Sequence, residues 1–334
     1  METLLEVRNL SIGIHRERVL SAVEDISFDV YPGEILGIVG ESGSGKSLTA
    51  LSIPALLGRG AEADTGSILY YGNGIAGGAA RTSRDLLTLP EKELQAIRGK
   101  EISMIFQEPF SSLNPLMKVG VQIAETLELH GSKDRILVKS RVRKLMETLG
   151  LSEPEKLMEA YPHRLSGGMC QRVMIALAVI CRPRLLIADE PTTALDQGTQ
   201  NQILGLIKEI NQDLGTSILF ISHDLEVIKN LSSRVLVMYA GRILEEGQTE
   251  DIFFHSAHEY TRGLLGSIPG RAKRGKDLAN IPGKVPSLDE GRPSGCPFHP
   301  RCTKAEPRCK GNFPPVISVS PSHKTRCVLE EGKW

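Results

Sequence analysis

The chain has 334 residues, 40% of them hydrophobic, which suits one large domain or two to three smaller ones with a real core. Its 40 basic residues balance 40 acidic ones, so no strong field favours nucleic acid or an anionic membrane surface. Aromatic residues make up only 4%, with the single tryptophan at position 334, so stacking platforms for bases are scarce. Met1-Glu2-Thr3-Leu4-Leu5-Glu6 lacks the basic start and apolar run of a signal peptide. No stretch reaches about 18 uncharged apolar residues, so any membrane role is expected to come through a partner. Six cysteines without a secretory signal point to reduced thiols or metal ligands rather than disulfides.

Residues 4–31 alternate apolar and polar positions, which predicts strands over 5–10 and 26–30. A turn at 31–34 leads into the apolar run 34–39, read as a buried strand. Gly40-Glu41-Ser42-Gly43-Ser44-Gly45-Lys46-Ser47 follows, the G-x-x-x-x-G-K-S pattern of a P-loop. Its glycines let backbone N–H groups converge on phosphate oxygens without Cβ clashes. A helix predicted over 47–57 points its positive end at the same anion. Lys46 can reach the β- and γ-phosphates, and the Ser47 hydroxyl can ligate Mg²⁺. Gly58-Arg59-Gly60 ends that helix, 67–71 reads as a strand, and the Gly/Ala-rich stretch 72–80 as a mobile loop.

A helix is predicted over 90–99 and a strand over 101–106, ending at Gln107. Residues 108–115 carry turn chemistry, and 119–163 are mostly helical. Together they read as a small helical subdomain, about 108–165, inserted into the core. Ser166 caps a long helix expected to run to about Cys181. The continuous apolar strand 185–188 belongs in the middle of a parallel sheet and ends in Asp189-Glu190. A helix over 197–214, a strand over 217–222 ending at His223, a helix over 226–231 and a strand over 234–239 close the core near Gly247. Strands alternating with helices predict a mainly parallel α/β fold. Beyond about residue 255 the composition shifts, and 268–300 is rich in Pro, Gly and Lys/Arg. The expected division is a nucleotide-binding domain over 1–255 and a Cys-bearing extension over 256–334, read as a metal-organised appendix rather than an extension of the core. One P-loop makes the chain one nucleotide unit.

In a P-loop fold Asp189 sits beside the Ser47–Mg²⁺ site, and the adjacent Glu190 can polarise the attacking water as a general base. In the tail, Cys296, Cys302, Cys309 and Cys327 are spaced C-x5-C-x6-C-x17-C. Four thiolates suit an iron–sulfur cluster or Zn²⁺. The paired C-x2-C knuckles of structural zinc are absent, which puts a [4Fe–4S] cluster ahead of zinc; His299 reads as a loop histidine ahead of an alternative zinc ligand. Cys170 and Cys181 read as small apolar fillers.

Leu165-Ser166-Gly167-Gly168-Met169, the P-loop, Gln107, 185–190, Ala194-Leu195-Asp196 and His223 occur in an order that resembles the ATP-binding subunit of ABC transporters, over about residues 4–250. The resemblance implies a P-loop NTPase with a mainly parallel core sheet, N-terminal antiparallel strands and the inserted helical subdomain. It implies ATP binding by Gly40, Ser42, Gly43, Ser44, Gly45, Lys46, Ser47 and Leu48. Ser47, Gln107 and Asp189 would arrange Mg²⁺ and water, with Glu190 as base and His223 at the γ-phosphate. Ser166, Gly167, Gly168 and Met169, with Asp196, would act in trans on ATP held by an opposing subunit. The family usually has an aromatic residue before the P-loop to stack on adenine. Between Ile12 and Val23 there is none, which leaves His15, Arg16 or Val23.

A narrower resemblance rests on 105–115 and on Gly295-Cys296-Pro297-Phe298-His299-Pro300-Arg301-Cys302. Both look like the dipeptide/oligopeptide importer branch, and most like its D-type ATPase, whose members are associated with a [4Fe–4S] cluster. The implied partners are a homologous second ATPase subunit (or a second copy), two membrane permeases and an external peptide-binding protein, with the chain at the cytoplasmic membrane face. Nickel importers share the same tail. The rival reading is a soluble ABC-type ATPase acting on nucleic acid or ribosomes; one P-loop, balanced charge and few aromatics argue against it.

Overall fold

The structure, a computed structural model, describes residues 2–72, 82–193, 195–268 and 280–332. The loop expected at 72–80, apart from Gly72, and Ala194 lie outside the described residues. The N-terminal strands are longer than expected, β1 (Leu5–His15) and β2 (Val19–Val30), because the alternation continues past Leu10 through buried Ile12. The P-loop strand is β3 (Ile35–Val39), buried throughout. Helix α1 (Lys46–Ser52) stops five residues short of the expected end. Pro54 has no N–H to continue the ladder, and Ala55 turns to φ +53°. Strands β4 (Ala61–Gly72) and β5 (Thr82–Asp85) complete an antiparallel sheet of order β2-β1-β4-β5. β4 begins six residues earlier than expected, over a mostly exposed stretch whose pairing to β1 is not a sequence signal.

Helix α2 (Glu91–Ile97) and strand β6 (Ile102–Ile105) match expectation. The turn expected at 108–115 contains one helical turn, α3 (Pro109–Ser112), closed by the Ser111 and Ser112 hydroxyls, which donate to Glu108 O. The helical subdomain continues with α4 (Val119–Leu129), α5 (Arg135–Thr148) and α6 (Pro154–Met158). Then come α7 (Gly167–Val179), β7 (Leu185–Asp189), α8 (Gln197–Leu214), β8 (Ser217–Ile221), α9 (Leu225–Leu231) and β9 (Arg234–Tyr239). α8 runs between its expected ends. The Asp196 carboxylate accepts from Thr199 N at its start, and Gly215 (φ +63°) takes the left-handed C-cap. Strand β10 (Arg242–Gln248) and helices α10 (Thr249–Phe254) and α11 (Glu259–Gly266) follow.

The tail adds β11 (Ile317–Ser320) and β12 (His323–Thr325). Among the described residues the main sheet runs β11-β12-β10-β9-β3-β8-β7-β6, parallel from β9 to β6. The tail therefore extends the core sheet, through β12 pairing antiparallel to β10 (Glu245 with Thr325), instead of standing apart as an appendix. Successive residues of the parallel strands alternate between two cores. Val39, Leu186, Ala188, Phe220 and Val237 face the helical side; Leu36, Ile38, Ile187, Ile221 and Met238 face α1, α2 and the antiparallel sheet. Glu245 on β10 is fully buried. It accepts from Ala257 N (2.5 Å), His258 N (3.1 Å) and His323 Nε2 (2.7 Å), binding β10, the start of α11 and β12 together. No helix among the described residues is long and apolar enough to cross a membrane.

Candidate functional site

The parallel strands deliver their C-terminal ends to one edge, where an open α/β sheet binds ligands. β3 ends in the P-loop, β7 in Asp189, and β8 just before His223. Glycine is required where the loop passes under β9: a Cβ on Gly40 would lie 2.1 Å from Met238 O. Gly43 and Gly45 take φ +78° and +95°. Gly40→Ala is expected to cost about 1–3 kcal/mol in stability and to remove the thermal shift that Mg-ATP gives the wild type. A wild-type shift in melting experiments would mean that the loop has room for the methyl group.

Lys46, 5% exposed, folds back over the loop and donates from Nζ to Gly40 O (2.8 Å) and Glu41 O (3.0 Å). Burial pushes its ammonium down from the usual lysine range, opposed by Glu190, Asp189 and Glu41. The Ser47 hydroxyl donates to Asp189 Oδ1 at 3.1 Å. Burial raises the Asp189 carboxyl and the nearby Glu190 adds to it, while the Ser47 hydrogen bond and Lys46 pull it back. Glu190 sits in the left-handed region at φ +48°, a strained position for a side chain of its size. Its N–H donates to Ile221 O (3.0 Å), which fixes the turn after β7.

Three groups meet at Glu190 Oε2: Gln107 Nε2 donates at 3.3 Å, Thr193 Oγ1 donates at 2.9 Å, and His223 Nδ1 lies 3.1 Å away. The fold thus gathers Gln107, Asp189, Glu190 and His223 from the ends of β6, β7 and β8 around the P-loop. Thr193 was missed in the sequence; its signal was a hydroxyl three residues after the acid. Ser166 caps α7 by accepting from Met169 N (3.3 Å), and its residue is exposed. Gly168 abuts Thr199, so this loop and the Asp196 cap of α8 form a second cluster. Among the described residues no hydrogen bond joins 166–169 to the P-loop of the same chain. Of the candidates for an adenine platform, Val23 is fully buried, whereas the His15 Nε2 is tied to Asp64 at 2.8 Å. A cleft of about 540 Å³ between α4, α5 and α8 is lined by none of these residues.

The tail corrects an expectation. Cys296, Cys302, Cys309 and Cys327 all line one small pocket of about 10 Å³ beside His258 and Phe298. Among the described residues no group of three or more His, Cys, Asp or Glu side chains is placed to hold a metal ion, iron–sulfur or zinc. Burial pushes Cys296 up to about 12 and Cys327 up to about 11, and raises Cys302. Cys296 Sγ lies 3.8 Å from His258 Nε2, and Cys309 Sγ accepts from Glu306 N at 3.5 Å. Cys170 is a buried filler, as expected, and half-buried Cys181 donates to Thr126 O at 3.7 Å.

Comparison with known proteins agrees with this geometry. Residues 23–193 match the family described as ABC transporter, and 244–309 match the oligopeptide/dipeptide transporter C-terminal region. The chain is 45% identical to the oligopeptide transport ATP-binding protein OppD of Haemophilus influenzae, over 100% of this chain and 99% of that protein. It is 44% identical to OppD of Salmonella typhimurium, over 97% of this chain and 93% of that one. It is also 44% identical to the oligopeptide transport ATP-binding protein AppD of Bacillus subtilis, over 99% of both. A dimeric structure of the ATP-binding cassette MJ0796 bound to ADP and Pi covers 73% of this chain and 98% of that one at a TM-score of 0.63 and 26% identity. With the P-loop, its acids and the capped glycine loop at the matching places, the chain belongs to the ABC transporter family of ATP-binding subunits, in the oligopeptide/dipeptide branch.

Proposed function

We propose that the chain is the ATP-hydrolysing subunit that energises import of di- and oligopeptides, working at the cytoplasmic face of a bacterial or archaeal membrane. The observation that carries this reading is the convergence of Gln107, Thr193 and His223 on Glu190, one residue past the Asp189 that meets Ser47. The peptide cargo is supported by the relatives' names.

The Ser47 hydroxyl and Asp189 carboxylate are hard oxygen donors, the set that suits Mg²⁺. Ser47 and Asp189 would hold the Mg²⁺ that accompanies ATP, which would supply neutralisation of phosphate charge there. The P-loop amides and Lys46 hold the phosphates in place. Gln107 and Thr193 hold Glu190 in position to take a proton from the attacking water, and His223 contacts the γ-phosphate. Ser166, Gly167, Gly168 and Met169, with Asp196, present the N-terminus of α7 to ATP on an opposing subunit. Two subunits, this one with a homologue or with itself, close head to tail on ATP and reopen after hydrolysis. The differential stability of the closed state drives two permeases between conformations, with an external peptide-binding protein delivering cargo. In this reading residues 1–255 form the nucleotide-binding domain and 256–334 the extension. The helical subdomain offers exposed Phe110, Leu116 and Val121 to the permeases.

The test is uptake of a labelled oligopeptide by cells lacking this chain, with and without its return. ATP-dependent uptake is expected only with the chain restored; unchanged uptake without it would refute the reading, and uptake of nickel in its place would reassign the cargo.

A further inference from the structure

The second residue of the P-loop, Glu41, is gripped by the tail. Arg301 donates from Nη1 to Glu41 Oε2 (2.6 Å) and from Nη2 to Oε1 (3.1 Å), a bidentate pair across 260 residues of sequence. Arg301 is 8% exposed and is itself held firmly. Its Nε donates to Pro282 O (2.8 Å), and its guanidinium lies 5.8 Å and 6.0 Å from the ring centres of Tyr239 and Phe298. The other polar groups of Glu41 are taken as well: its N–H donates to Tyr260 Oη (3.0 Å), and its carbonyl accepts from Lys46 Nζ (3.0 Å). The Tyr260 and Phe298 rings pack against each other, 5.2 Å between centres and tilted by 54°, so α11 and the 296–302 turn reach the loop as one aromatic wedge.

A carboxylate in a phosphate-binding loop is an electrostatic problem, since it repels the ligand the loop exists to hold. Glu41 is also only 27% exposed, so water screens it incompletely. We propose that Arg301 is a positioning residue for ATP. Its planar, permanently charged fork neutralises Glu41 and turns the carboxylate away from the phosphates, so that the tail sets the affinity of the P-loop. This rests on the reading of that loop as the ATP phosphate site. A lysine would supply the charge without the fork.

The experiment is titration of the purified full chain with a fluorescent ATP analogue, using wild type, Arg301→Met, Arg301→Lys, Glu41→Gln and the double variant Arg301→Met with Glu41→Gln. Saturable binding by the wild type secures the reading of the loop by itself. Arg301→Met is expected to weaken binding about tenfold, and Arg301→Lys to lie between it and wild type. Adding Glu41→Gln to Arg301→Met is expected to restore affinity to within about twofold, because the charge that needed neutralising has gone. A structural role alone would not give that rescue. Glu41→Gln alone, which tests the idea even if Arg301→Met folds poorly, is expected to bind more tightly than wild type. Wild-type affinity in folded Arg301→Met, no rescue in the double variant, or weaker binding by Glu41→Gln would each overturn the proposal.

Discussion

Glu190→Gln is expected to lower ATP turnover by about 100-fold or more, the usual worth of a general base, while leaving a stable ATP-bound dimer. The amide keeps an acceptor for Thr193 and Gln107 but cannot take the proton from water. Lys46, Ser47 and Asp189 are untouched, so ATP still binds. The cluster of Ser166 and Asp196 makes no hydrogen bond to its own P-loop among the described residues. Wild-type turnover should therefore rise more steeply than in proportion to protein concentration as dimers form. The measurement is ATPase rate against concentration with light scattering for mass, alone and with candidate partner subunits. A dimer of this chain alone would mean that it can pair with itself; a dimer only with a partner would mean a heteromeric importer. Activity unchanged by the substitution and independent of concentration would remove Glu190 and the glycine loop from the mechanism.

The second large effect concerns stability. Glu245→Leu is expected to cost about 3–5 kcal/mol, the range for breaking a buried polar network. It leaves Ala257 N, His258 N and His323 Nε2 without their acceptor, inside a region where water cannot replace it. The melting temperature should fall by about 5 °C or more. Replacing His323 by phenylalanine in the same chain should recover part of the loss, because one of the three stranded donors is then gone. A loss under about 1 kcal/mol would mean that the tail contributes little to holding β10.

The P-loop, Asp189, Glu190, His223 and the Ser166 cap were legible in the sequence because each lies within a few residues of the strand or helix that aims it. α8 was legible at both ends because Asp196 and Gly215 have local, residue-specific reasons to begin and end a helix. α1 was overextended because apolar spacing was followed past Pro54. The strands β11 and β12 are four and three residues long and mostly polar, and β12 takes its register from β10 nearly 80 residues earlier. No local pattern encodes that. The pairing of Arg301 with Glu41 was hidden for the same reason, and cysteine spacing pointed to metal chemistry where no group among the described residues is placed to hold a metal ion.

The shared edge of β10 and β12 has a consequence for inheritance. A gene cut near residue 255 would encode β10 as an open edge, with unpaired backbone groups that invite another chain's strand, and Glu245 without its imidazole. The ATP-binding part and its tail are thus not interchangeable cassettes. A crossover between relatives yields a sound sheet only when both sides of that ladder descend from compatible parents, and the Glu41–Arg301 pair sets the same condition at the P-loop.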